Sequence, residues 1–145
     1  MITLTSELTA AAWWSTLLLL KLATFPAIIG LTRVGRGIFV SLEDVKYFGS
    51  GELKVDDAVV ERRRRAHLND IENILPFIGL ITIFAATGAG DAGCVNLISK
   101  VFTGARVIHT LVYLGEVSQP ARGIAWAIGM MCNMYIGVKV LLHLY

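Results

Sequence analysis

Residues 60–77 read VERRRRAHLNDIENILPF and run without a break into 74–86, a stretch with no charged residue. Four consecutive arginines (Arg62, Arg63, Arg64, Arg65) are thus followed by His67, Asn69, Asp70, Glu72 and Asn73, and then directly by a lipid-compatible run. Few folds accept this. Backbone at bilayer depth has to satisfy its own hydrogen bonds, so the segment is expected to be helical. Polar side chains at that depth are costly unless they are paired or used. On a helix, Arg65, Asn69, Glu72 and Pro76 share one stripe, because steps of four, three and four residues stay near one face.

The rest of the chain also points to a bilayer. Of its 145 residues, 55% are hydrophobic and only 17% charged, far from the composition of an ordinary soluble domain. That length makes a single domain, residues 1–145, the expectation. The net charge of +2 is small, and the basic residues sit mostly in one loop and the helix start after it, so nucleic acid is not an expected partner. Cys94 and Cys132 lie in apolar surroundings without CxxC spacing. They read as packing residues, and no metal site is expected.

Four spans are expected, at about residues 10–31, 58–86, 94–114 and 124–142, which makes the chain an all-α integral membrane protein, a four-transmembrane-helix bundle. Residues 1–9 carry no Lys or Arg and the first apolar run continues past Lys21, so the first segment reads as a retained membrane helix rather than a cleaved signal. Lys21 inside that span is a functional candidate, or else a side chain that snorkels or pairs within the bundle. Pro26 is expected to kink the helix. Residues 32–59 read as a long polar loop, with Asp56 and Asp57 suited to cap the arginine-rich helix. Gly88, Gly90 and Gly93 read as a short turn, residues 115–123 as a second short loop, and Gly129 and Gly137 as points of close helix approach. Both polar loops fall on one side, and the excess of Lys and Arg in the longer one places that side in the cytosol.

Basic residues beside a span can serve topology alone, and Arg62 and Arg63 fit that reading. His67, Asn69, Asp70, Glu72 and Asn73 have no such explanation. They pair among themselves, or they form a pocket for a small polar anion. Arg binds two carboxylate oxygens at once and Glu72 can hold an ammonium, so the combination suits an amphoteric ligand. In the third span, Arg106, His109 and Tyr113 share a face by steps of three and four. His109 and Tyr113 can add a hydrogen bond or a ring contact, or can be satisfied core residues, and Arg106 is open to the same two readings. Arg122, beside the second loop, is a cation free to stabilise an anion.

These residues carry a resemblance to the MAPEG family, the membrane-associated proteins of eicosanoid and glutathione metabolism. Glu61, Arg62, Arg65, Ala66, His67, Asn69, Asp70, Glu72 and Asn73 match that family's E-R-x-x-R-A-H-x-N-D-x-E-N run. Arg33, Phe39, Glu43 and Asp44 match further, as do Arg106, His109, Thr110, Tyr113 and Leu114 in R-x-x-H-T-x-x-Y-L and Gln119, Pro120 and Arg122 in Q-P-x-R. The resemblance implies a homotrimer in the endoplasmic reticulum membrane with its active site toward the cytosol, the outer mitochondrial membrane being an alternative. It also implies glutathione held between neighbouring subunits. By motif match, the glutathione-site residues are Arg33, Arg64, Arg65, His67, Asn69, Glu72, His109, Tyr113 and Arg122.

Within the family the chain looks closer to microsomal glutathione transferase of type 1 than to the prostaglandin E synthase branch. That branch has Arg, Ser and Tyr where this chain has Leu68, Gly123 and Trp126. A cysteine that confers thiol-reagent sensitivity on mammalian transferases would fall at Val45. The resemblance therefore implies a glutathione transferase acting on hydrophobic electrophiles that reach it from the lipid along spans one and four, with peroxidase activity toward lipid hydroperoxides. Arg122 is expected to stabilise the thiolate, with Tyr113 as helper; a prostaglandin H2 isomerase and a non-catalytic membrane scaffold are the alternatives.

Overall fold

In the computed structural model, which describes residues 4–117 and 119–145, four long helices form an up-down-up-down bundle. They are α1 (Ser6–Arg36), α3 (Ala58–Thr87), α4 (Ala92–Leu114) and α5 (Gln119–Leu144), each long and apolar enough to cross a membrane. The chain is an all-α membrane bundle. Between α1 and α3 lie β1 (Ile38–Phe39), the short helix α2 (Leu42–Phe48) and β2 (Glu52–Leu53).

Partners along the helices define their directions. Arg36 meets Asp57 and Lys21 meets Asp70, so α1 and α3 are antiparallel. Trp14 Nε1 donates to Asn96 Oδ1 at 3.0 Å while Lys21 reaches Thr110, so α1 and α4 run parallel. Asn133 reaches the Asn73 carbonyl and His143 the Thr87 carbonyl, so α3 and α5 also run parallel. The α1 C-terminus, the α2 segment, the α3 N-terminus and the α4–α5 junction consequently share one end of the bundle.

Local chemistry sets the helix ends. Asp57 Oδ1 accepts from the Val59 and Val60 N–H groups and so caps α3, while Asp91 caps α4 through Cys94 N–H. The left-handed Gly37 (φ 63°) closes α1 and Gly88 (φ 71°) closes α3. Pro26 and Pro76 both lie within continuous helices.

Several boundaries differ from the sequence expectation. Helix α1 continues to Arg36, so Arg33 is helical. Gly93 belongs to α4, leaving the turn to 88–91. Helix α5 begins at Gln119, so Gln119, Pro120, Arg122 and Gly123 are on its first turns rather than in a loop. Proline is well tolerated there, because a first-turn N–H has no helical acceptor. The segment read as one long loop contains α2 and a parallel β1–β2 pair with Ile38 opposite Glu52. Gly51 (φ 112°) permits that pairing, since a Cβ there would sit 2.5 Å from the Gly37 carbonyl oxygen and 2.7 Å from the Phe39 ring. At Gly129 an added Cβ would meet Phe102 at 3.5 Å, which is ordinary contact, so the approach of α5 to α4 does not depend on glycine.

The core is apolar and filled. Leu18, Leu22, Ile74, Phe77, Ile81, Phe84, Phe102 and Ile136 are buried, and the Phe77 and Phe102 rings stack between α3 and α4 with centroids 3.8 Å apart. Truncating Phe102 to alanine is expected to destabilise the bundle by about 3–5 kcal/mol, read as a lower unfolding midpoint in detergent. At the α3 N-terminus, removal from water raises the Asp57 carboxyl, but hydrogen bonds from Arg36 and the Val60 and Val59 N–H groups outweigh it and hold the carboxyl below its ordinary 3.8. A carboxyl depressed in the fold contributes stability above its unfolded value and loses it as pH falls through the folded one. Asp57→Asn retains a capping oxygen and loses the charge, so it should unfold more easily than wild type at neutral pH. That difference should shrink on acidification below about pH 3.8, as thermal unfolding across pH will show.

Candidate functional site

The polar residues of α3 divide by direction. Asp70, wholly buried, faces inward between α1 and α4. It pairs with Lys21 of α1 and, through Oδ1, with Arg106 Nε at 3.0 Å and Nη2 at 2.5 Å. Thr110 Oγ1 lies 3.1 Å from Asp70 Oδ2 and accepts from Lys21 Nζ at 2.9 Å. Lys21 is therefore a pairing residue. Asp70 pairs with other helices and not with its polar neighbours on α3. Asn73 donates to the Asn69 carbonyl one turn back.

Arg106 carries this cluster toward the surface. Its Nη2 donates to Asn69 Oδ1 at 2.8 Å and lies 3.2 Å from His109 Nδ1. Asn69 and His109 in turn line a cleft of about 210 Å³ with Tyr113, Gln119, Arg122, Gly123 and Trp126. The Arg122 guanidinium lies 4.7 Å over the Tyr113 ring and donates to Gln119 Oε1, while the His109 and Tyr113 ring centroids are 5.7 Å apart. Helices α3, α4 and the first turns of α5 each contribute one wall.

Four of the expected site residues, Asn69, His109, Tyr113 and Arg122, therefore meet in one place. Arg65 and Glu72 are exposed on the α3 stripe that also carries Asn69, outside the cleft lining. Arg64 is paired with Glu61 at 2.8 Å. Arg33 reaches the Lys54 carbonyl at 3.4 Å in the α1–α3 connection. His67 turns toward α1, where its ring stacks on Phe25 with centroids 5.2 Å apart, so within one chain it is not part of the cleft. Arg62 ties the start of α3 to Glu116 at 3.4 Å, beyond the end of α4.

Sequence reasoning did not place Gln119 or Trp126 in the site. Gln119 is one turn before Arg122 and Trp126 one turn after it, a spacing that becomes informative only once α5 is known to start at Gln119. A larger cavity of about 390 Å³ lies between α4 and α5, lined by Leu97, Ile98, Val101, Ile128, Met131 and Tyr135 with Cys94 and Cys132. Its wall is almost entirely apolar and presents no cation. The smaller cleft is the one of the two equipped for an anion: a guanidinium, a phenol, an imidazole and two side-chain amides converge at the end of the bundle where α5 begins.

Comparison with known proteins identifies the family of the chain. The family described as "MAPEG family" matches residues 11–142. "Microsomal glutathione S-transferase 1" of Sus scrofa and of Homo sapiens are each 36% identical over 137 residues, which cover 91% of this chain and 87% of theirs. "Prostaglandin E synthase" of Equus caballus is 34% identical over 81% of this chain and 76% of its own. The match extends through all four long helices, and the chain belongs to the MAPEG family.

Proposed function

We propose that the protein is a membrane glutathione transferase that binds glutathione at the Asn69–His109–Tyr113–Arg122 cleft and conjugates it to hydrophobic electrophiles. The observation that carries this reading is Arg122. It stands over the Tyr113 ring at the mouth of a cleft whose other polar groups can all donate hydrogen bonds. A free thiol has a pKa of about 8.5 and reacts as thiolate, so the site has to favour the anion near neutral pH. Arg122 supplies the positive charge and Tyr113 a hydroxyl. The thiolate then attacks the electrophilic carbon, the C–S bond forms, and the leaving group departs with its electron pair. With a lipid hydroperoxide, two glutathiones are oxidised to the disulfide while the peroxide becomes an alcohol and water.

Glutathione carries two carboxylates and one ammonium as well as its thiol, and charged residues outside the cleft lining match them. Glu72 is assigned the ammonium; Arg65, Arg64 and Arg33 the carboxylates; and His67 supports the α3 geometry against Phe25. Arg33 and Arg64 lie outside the cleft of their own chain, which supports a site completed by a neighbouring subunit, in the homotrimer that the family resemblance suggests. The basic residues at the cleft end of the bundle support a cytosolic orientation, and the endoplasmic reticulum is the proposed membrane. Electrophiles dissolved in lipid reach the cleft along α1 and α5, past the exposed Trp126.

Two of the three positions that separate this sequence from the prostaglandin E synthase branch, Gly123 and Trp126, line the cleft itself. Their location favours the transferase over the isomerase. Leu68, the third, is half exposed on α3.

The purified protein should conjugate glutathione to chlorodinitrobenzene; bound glutathione without turnover would point instead to a scaffold. Arg122→Ala should lower kcat/KM about 10²–10³-fold and remove the ultraviolet absorbance of bound thiolate while glutathione stays bound. An unchanged thiolate signal would sink the assignment of Arg122. Assay of prostaglandin H2 beside a lipid hydroperoxide distinguishes the isomerase from the peroxidase.

A further inference from the structure

We infer that buried Arg106 is a positioning residue that fixes the amide orientation of Asn69 and the tautomer of His109, so that both present N–H groups to the cleft. The Arg106 side chain ends in a guanidinium. It carries five N–H donors, no acceptor, and a charge that is not lost in a protein. Arg106 Nη2 is 2.8 Å from the Asn69 side-chain amide and 3.2 Å from His109 Nδ1. Nη2 has two hydrogens: one goes with Nε–H to Asp70 Oδ1, and the other is shared by Asn69 Oδ1 and the more distant His109 Nδ1, so an N–H on either residue turned toward it would set donor against donor.

Asparagine and neutral histidine are each ambident, with one donor end and one acceptor end. Facing Arg106, Asn69 turns its Oδ1 inward, which leaves the Nδ2 amino group for the cleft that this residue lines. His109 turns an unprotonated Nδ1 inward, so its proton resides on Nε2. A proton on Nδ1 would set donor against donor, and an imidazolium would add a second cation beside the first. With Arg122 and the Tyr113 hydroxyl, the cleft then carries four donors from three helices and suits an anionic sulfur or carboxylate.

Arg106 itself is held by what lies behind it. Nε and Nη2 both donate to Asp70 Oδ1, and Asp70 is fixed from the other side by Lys21 and Thr110. Helices α1 and α3 thereby determine how two side chains in the cleft are oriented, although Lys21 and Asp70 do not line it. The role deepens the proposed glutathione site and rests on that reading for the identity of its ligand; the tautomer does not.

The test is nitrogen NMR on ligand-free full-length protein in lipid nanodiscs with ¹⁵N-histidine. The His109 signals are separated from those of His67 and His143 by comparison with His109→Gln. A neutral ring protonated at Nε2 is expected for His109 at neutral pH, and in Arg106→Gln a mixture of tautomers. An Nδ1–H ring or an imidazolium in the wild type overturns the inference, even if the Arg106 variant fails to fold. Glutathione titration supplies the second readout. The terminal amide nitrogen of glutamine can replace Nε2–H and that of asparagine cannot, so His109→Asn should bind glutathione about 10–100-fold more weakly than His109→Gln does. Equal weakening in both variants also overturns it. If the tautomer is as assigned and the wild type binds no glutathione, the positioning role stands and the proposed substrate falls.

Discussion

Asp70 is the group around which the membrane half of this protein is built. It is fully buried among the long apolar helices and is met by two cations, Lys21 from α1 and Arg106 from α4. Removing one partner of a buried charge pair commonly costs about 3–5 kcal/mol, because the charge left behind has lost its hydration. The arrangement also fixes register. A helix sliding by one turn would shift by about 5.4 Å, far outside hydrogen-bond range, whereas the surrounding leucines and isoleucines would repack at much smaller cost. Apolar packing drives these helices together, and the ion cluster selects which turn faces which.

One carboxylate between two cations leaves an excess of positive charge. In water this would matter little, but in a low-dielectric interior the field reaches further. Arg106 touches two residues of the cleft directly, and Arg122 stands on its far wall. The charges that lock the fold therefore also bias the cleft toward anions. A purely structural cluster needs no such connection to the surface, and the link through Asn69 and His109 joins the ion cluster of the bundle to the polar cleft at its end.

Local signals in the sequence carried most of the fold. The four apolar runs, the Asp57 cap and the shared face of Arg106, His109 and Tyr113 are set by spacings of a few residues and appear in the structure as expected. Longer-range features were not legible in this way. Lys21 has a partner 49 positions away, and no helical periodicity connects the two. The start of α5 was hidden because Pro120 and Gly123 resemble loop residues, although proline in a first turn is compatible with a helix. His67 and Asn69 look equivalent in the motif, yet their angular separation on α3 sends one to Phe25 and the other to the cleft. A motif identifies residues that matter without separating those that touch a ligand from those that hold the helix.

The packing of the bundle also constrains where chemistry can occur. Phe77 and Phe102 stack in the centre, with Phe84, Ile74 and Ile81 closing the space around them, so the core offers no room for a polar ligand. Polar groups gather instead where α5 begins, in a cleft whose lining includes the exposed Trp126. Arg65 and Glu72 are exposed on α3; in the proposed site they would keep charged ligand groups in contact with water while an apolar electrophile approaches along the lipid-facing helices. On the proposed reading, a thiol and an electrophile of opposite solubility would meet there with neither fully transferred into the other's phase. That geometry accounts for placing a small polar cleft at the rim of the bundle and leaving the larger apolar groove between α4 and α5 without a charged group.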